Sequence, residues 1–303
     1  MASLCVKNLN KSYGRHQVLK DLSFTLEQGE IVGFIGPNGS GKSTTMKCIA
    51  NLVFPDSGEI TIAGHDLFKA RKQALAHLSA LIEAPGLYFN LSGLDNLLLF
   101  ASLRGISRKR VDEVVEFTGL GKSIRKTAGT YSMGMKQRLA LGIAVLTKPT
   151  FIILDEPFNG LDPNGIFELR NAIKALAAEG SGIIFSSHQI LEMDKIAHRN
   201  IFIKDGTIIP QGQTKVATML QYKVFMEREK DDFAFLSRLK ADGLLADFSQ
   251  EDQFVLITLP GVEKLSPVLS SLLDAGREIR GIMPLTADIE NLYNSIYESG
   301  AGK

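Results

Sequence analysis

The chain has 303 residues, 45% of them hydrophobic and 22% charged, and a formal net charge of +1. That length suits one large domain plus a smaller one. The near-neutral balance argues against bulk electrostatic binding to nucleic acid or anionic lipid. No stretch approaches the ~20 apolar residues that span a bilayer, and the opening Met1–Leu9 alternates without the apolar core of a signal peptide. Cys5 and Cys48 lie far apart in apolar surroundings and read as buried thiols of a reducing compartment. The five histidines (His16, His65, His77, His188, His198) show no metal-ligand spacing with them.

Leu4–Tyr13 and Leu19–Glu27 alternate apolar and polar residues, as half-buried antiparallel strands do. Ile31–Ile35 is a fully apolar strand, followed by Gly36-Pro37-Asn38-Gly39-Ser40-Gly41-Lys42-Ser43-Thr44 and a helical stretch, Thr45–Leu52. Gly58–Ala63 reads as a short strand, Asp66–His77 has helical spacing, and Leu78–Ile82 reads as another buried strand. Ala84-Pro85-Gly86 then breaks the chain. From Ser92 to Thr147 the pattern is helical throughout (Leu94–Leu103, Arg110–Phe117, Met133–Leu146), which describes an insertion between strands. Phe151–Leu154 returns to the sheet, Asn164–Ala178 is an amphipathic helix, Gly182–Ser186 a strand and Gln189–Ala197 a short helix. Asn200–Lys204 and Thr207–Gln211 form a hairpin across Asp205-Gly206.

The character changes near Leu220. Strands are expected at Tyr222–Glu227, Leu244–Phe248, Phe254–Leu259 and Glu278–Met283, with helices at Asp232–Lys240, Val262–Leu273 and Ala287–Tyr297. The order βαββαβ describes a small α+β, ferredoxin-like domain. Residues 219–303 hold 9 Lys/Arg against 14 Asp/Glu, so this acidic tail is no nucleic-acid arm.

The glycine loop between strand and helix has the G-x-x-x-x-G-K-[ST] spacing of a P-loop. Glycines let several N–H groups face inward, and the helix adds its positive end. Lys42 can neutralise β- and γ-phosphate charge, and Ser43 can hold Mg²⁺. Phe151-Ile152-Ile153-Leu154-Asp155-Glu156 is a buried strand delivering two acids at its C-terminal edge, where open α/β sheets place ligands. Asp155 would hold the metal, and Glu156 would act as general base on water. Tyr131-Ser132-Met133-Gly134-Met135 opens a helix whose hydroxyl and bare glycine N–H make a second phosphate-binding surface. One monomer has little use for two such surfaces, whereas a head-to-tail dimer shares them. His188, at a strand end of the same sheet, can orient water and phosphate.

These elements in this order resemble the ATP-binding subunit of ATP-binding cassette (ABC) transporters, over roughly residues 2–218. The resemblance implies a P-loop NTPase cassette: a mixed sheet core with an antiparallel β subdomain and a helical insertion at about 86–148. It places the cassette at 1–219 and the accessory α+β domain at 220–303. The nucleotide-binding set becomes Tyr13, Val18, Asn38, Gly39, Ser40, Gly41, Lys42, Ser43, Thr44, Ser132, Gly134 and Asp162, with Tyr13 stacking on adenine. Glu156 and His188 are the catalytic pair, and Ser43, Asp155 and Glu83 the metal residues. The implied cofactors are ATP and Mg²⁺. The implied partners are a second copy and a membrane permease meeting Glu83–Phe89, at the cytoplasmic face of the membrane. Two departures stand out: Met133 and Met135 replace a glycine and a glutamine of the family signature, and Glu83 stands where the family carries a glutamine. The glutamate looks like the variant loop of lantibiotic-immunity and bacitracin-resistance exporters, which implies export of an antimicrobial peptide or other amphiphile. A DNA-maintenance or translation-associated ATPase, or a regulatory cassette, is the alternative.

Overall fold

Alternation at the start of the chain becomes an antiparallel pair, β1 (Ser3–Tyr13) and β2 (His16–Glu27). The computed structural model describes residues 2–83, 86–187, 189–209, 220–227, 232–251, 254–285 and 297. The chain divides into two units, Met1–Ile209 and Pro210–Lys303.

In the first unit the continuous apolar runs form the middle of one sheet, since both of its faces are covered. β3 (Ile31–Ile35) leads into helix α1 (Lys42–Ile49). β4 (Ser57–Ile62) and β5 (His65–Asp66) then join β1 and β2 in a four-stranded antiparallel sheet, ordered β2-β1-β4-β5. Helix α2 (Arg71–Ala76) and strand β6 (Leu78–Leu81) precede the insertion, which comprises α3 (Gly93–Leu103), α4 (Arg108–Phe117), α5 (Met133–Val145) and two 3₁₀ turns. Each of these three helices starts on a serine, Ser92, Ser107 or Ser132, whose oxygen accepts a first-turn N–H. After them come β7 (Phe151–Leu154), α6 (Pro163–Ala178), β8 (Gly182–Ser186), α7 (Ile190–Asp194), β9 (Arg199–Lys204) and β10 (Thr207–Ile208). The second sheet is ordered β10-β9-β3-β8-β7-β6, parallel from β9 to β6 and antiparallel at β10. The ends of β3, β6, β7 and β8 therefore share one edge, where the glycine loop, Glu83 and Asp155-Glu156 follow their strands, while Ser132 and Gly134 lie on the insertion.

The second unit contains β11 (Leu220–Met226), α8 (Asp232–Ala241), β12 (Asp247–Gln250), β13 (Val255–Leu259), α9 (Leu265–Asp274) and β14 (Ile279–Leu285). Its antiparallel order β12-β13-β11-β14 is that of a ferredoxin-like sheet. Val224, Ile257, Leu236, Leu239, Val268 and Leu272 form its core.

Several boundaries move. The helical reading of Asp66–His77 is too long. Asp66 instead pairs with Thr61 across a turn, and its carboxylate accepts the N–H groups of Phe68 and Lys69 at 2.8 and 3.0 Å. That side-chain bonding competes with the helix, which starts only at Arg71. The strand expected at Leu244–Phe248 is displaced to Asp247–Gln250, because the N–H groups of Leu244 and Leu245 close the end of α8 on Leu239 O. Helix α1 starts at Lys42 and α7 is confined to Ile190–Asp194. Ala84 and Pro85 of the expected chain break and permease contact, Pro210 and Gln211 of the expected hairpin, and residues 287–296 of the expected last helix lie outside the described residues.

Candidate functional site

β3 lies between β8 and β9 and delivers Gly36–Gly41 at the sheet edge. The loop is tightly curled. A Cβ on Gly36 would come within 2.4 Å of Ile203 O and 2.6 Å of Ser40 Oγ. Gly41, at φ +109°, is the N-cap of α1 and supplies no side-chain cap, so the helix start keeps N–H groups for an anion. Thr45 Oγ1 donates to Gly41 O at 2.8 Å, and Gly206 N donates to Ser40 O at 3.1 Å. The Asp205-Gly206 turn thus braces the loop from behind. Gly206 itself is at φ +81°, and a Cβ there would lie 2.2 Å from Val18 O.

Lys42 is buried, and its Nζ donates to Gly36 O at 2.7 Å and Pro37 O at 3.1 Å. Burial pushes its pKa below the usual lysine range, while the carboxylates of Glu156 and Asp155 act the other way. Those carboxylates follow β7. Asp155 N donates to Leu81 O at 2.8 Å, and Asp155 Oδ1 accepts from the buried Ser186 hydroxyl at 2.6 Å. The same hydroxyl accepts the N–H of Glu156 at 2.8 Å, which helps hold Glu156 at φ +50°, a conformation unusual for a side-chain-bearing residue.

A cleft of about 380 Å³ gathers Val18, Asn38, Gly39, Gly41, Lys42, Ser43, Thr44 and Glu156, together with His16. The curled glycines, the open helix start and the buried amine fit a polyphosphate. Ser40 Oγ is buried, and among the described residues it has no hydrogen-bond partner. Ser43 and Asp155 are the oxygen donors a hard divalent cation requires. Tyr13 stands outside this cleft, half exposed, with Lys11 Nζ 5.4 Å from its ring centre. Glu83 leaves the end of β6 at φ +65° and forms an ion pair with Lys47 of α1.

Ser132, Gly134 and Asp162 are not among the walls of the cleft. Ser132 caps α5 by accepting Met135 N at 3.3 Å and is exposed. Asp162 caps α6 by accepting Gly165 N at 2.9 Å. The two caps meet through their neighbours: Met133 Cγ lies 3.3 Å from a Cβ built on Gly160. His188 lies outside the described residues. Sequence reasoning missed His16, Ser186 and the bracing role of Gly206. A hydroxyl ending a wholly apolar strand was the one available signal for Ser186.

Among the described residues no helix is long and apolar enough to cross a membrane, and no group of three or more His, Cys, Asp or Glu could hold a metal by itself.

A family model described as ABC transporter matches residues 19–159. A bacitracin transport ATP-binding protein of Bacillus licheniformis is 41% identical over 206 residues, 67% of this chain and 67% of that protein. A lantibiotic transport ATP-binding protein of Streptococcus pyogenes is 36% identical over 231 residues, 75% of this chain and all of that protein. Among solved structures, an ATP-binding cassette described as a dimer in a post-hydrolysis state with ADP and phosphate superposes with a TM-score of 0.61. It is 26% identical and covers 68% of this chain and 97% of its own.

Proposed function

The chain belongs to the ABC transporter family, whose ATP-binding cassettes hydrolyse ATP to drive transport, and we propose that it powers a separate membrane permease that exports a peptide antibiotic or similar amphiphile. The observation that carries this reading is the meeting of Lys42, Ser43 and Glu156 in one cleft, with Asp155 fixed beside them by Ser186.

In this reading the loop N–H groups and Lys42 bind the β- and γ-phosphates. Ser43 and Asp155 hold Mg²⁺, which when bound neutralises phosphate charge and polarises the phosphoryl oxygens. Glu156 accepts the proton of the attacking water. His188 orients water and phosphate. His16 and Val18 border the nucleotide, and Tyr13 stacks on adenine from the rim. Ser132, Gly134 and Asp162 complete the site of a second copy, head to tail. Two observations support this: the Ser132 cap is exposed, and a related cassette forms a dimer.

The permease contact is proposed at an apolar groove of about 390 Å³ between the sheet and the insertion. Leu52, Leu81, Leu87, Phe100, Ile143 and Ala144 line it. Leu87 is buried in its wall, whereas Tyr88 and Phe89 are half exposed. The assembly then sits at the cytoplasmic face of the membrane. The peptide-antibiotic cargo rests on the names of the relatives and on Glu83.

The test is expression of the intact operon in a sensitive host, with challenge by bacitracin and by a lantibiotic. Resistance that disappears in Glu156→Gln supports the reading. Unchanged sensitivity to both, or an operon partner without membrane helices, overturns it.

A further inference from the structure

Glu83 is the acidic residue that the hydrolytic reading leaves least explained. It follows β6 by two residues, and the last carbonyl of that strand, Leu81 O, accepts the N–H of Asp155 at 2.8 Å. Glu83 therefore leaves the sheet at the edge that carries Asp155. Lys47 stands four residues after Ser43 on α1, one turn further along the same helix face. Its Nζ lies 2.5 Å from Glu83 Oε1. The carboxylate side chain is 68% exposed and the lysine 28%, so the pair is open to solvent and easily separated.

We propose that Lys47 is a positioning residue for Glu83: it holds the carboxylate against α1 in the nucleotide-free chain and competes for it with a nucleotide-bound divalent cation. The proposal rests on the reading of Ser43 and Asp155 as metal residues. A glutamine at this position would carry no charge for Lys47 to hold. The glutamate can be claimed by either cation, and drawing it to both brings their positive charges together at a Coulombic cost. Lys47 thereby sets how strongly nucleotide binding depends on metal. Removing it frees Glu83 for the metal and makes that dependence steeper.

The experiment is equilibrium binding of a fluorescent ATP analogue to the full chain, with and without Mg²⁺. Its readout is the ratio of the two dissociation constants, metal-free over metal-loaded. Lys47→Met should raise the ratio by about two- to five-fold, the scale of an exposed ion pair. Lys47→Arg should keep it within about two-fold of the wild type. In a Glu83→Gln background, Lys47→Met should leave it unchanged. An equal effect of Lys47→Met in both backgrounds, or no effect in either, overturns the proposal. Failure of the underlying reading looks different: Ser43→Ala and Asp155→Asn then leave the ratio at its wild-type value, whereas loss of either metal ligand should otherwise bring it down toward one.

Discussion

Ser186 donates to Asp155 Oδ1 at 2.6 Å and, through the same oxygen, accepts the backbone N–H of Glu156 at 2.8 Å. One hydroxyl on β8 thus fixes the rotamer of one carboxylate and the backbone of the next. Removing it frees the Asp155 carboxylate to rotate and takes the Ser186 bond from the part-buried N–H of Glu156. Ser186→Ala should lower the ATPase rate by about ten-fold or more and raise the Mg²⁺ concentration needed for half-maximal rate. Metal-free nucleotide binding, which depends on the loop and Lys42, should stay within two-fold or so. Steady-state ATPase titrated with Mg²⁺ separates these effects, and an unaltered metal requirement would remove Ser186 from the site.

Glu156→Gln keeps the shape of the side chain and removes its basicity. Turnover should fall by about 10²–10⁴-fold, the usual worth of a general base, with nucleotide affinity retained. If the second copy supplies Ser132 and Gly134, the trapped ATP should accumulate dimers. Light scattering with and without ATP gives the mass directly. Wild-type turnover by this variant would exclude Glu156 as the base.

The cassette was legible because its signals are local. A wholly apolar run bounded by Gly36–Ser43 or by Asp155-Glu156 declares both a buried strand and what stands at its end. The element order of the second unit was read from alternation and helix spacing in the same way, with the strand at Asp247–Gln250 expected three residues too early. What stayed hidden depends on contacts between distant segments. Ser186 meets Asp155 because β8 and β7 are neighbours in register, and Gly206 meets the P-loop because β9 lies beside β3. Glu83 could be read as a departure in the loop, but its pairing with Lys47 depends on where the fold brings the segment after β6 relative to α1. The hairpin at Asp66 was mistaken for helix because its apolar spacing alone does not reveal a side chain bonding to its own backbone.

Asn96 ties the loop after β6 to the insertion. It is buried, its Oδ1 accepts Tyr88 N at 2.8 Å, and its Nδ2 donates to Tyr88 O at 3.0 Å and Ser92 O at 2.9 Å. Asn96→Ala takes the acceptor from the part-buried Tyr88 N–H, while Tyr88 O keeps the N–H of Leu91 and Ser92 O keeps that of residue 96 itself, and should destabilise the chain by about 1–2 kcal/mol. Thermal unfolding of the isolated protein measures it. If Tyr88 borders the permease contact, the same variant should also weaken co-purification with the permease more than it weakens nucleotide binding. A stability equal to wild type would show that the loop does not depend on this side chain.

Cys48 lies on α1 with no exposed surface, and burial pushes its thiol up to about 11. Lys11 opposes that shift and Asp56 adds to it, both by less than burial does. At pH 8 only roughly one thiol in a thousand is then ionised, and only the thiolate reacts. Iodoacetamide should therefore leave Cys48 unmodified in the native chain on a timescale that labels it fully in denaturant. Because α1 carries the open N–H groups of the phosphate loop at its other end, a bound nucleotide should stabilise the helix and slow labelling further. Mass spectrometry of alkylated peptides, with and without nucleotide, distinguishes Cys48 from Cys5. Rapid native labelling at pH 8 would mean that α1 opens to solvent far more often than its packing implies, and an insensitivity to nucleotide would separate that opening from the phosphate site.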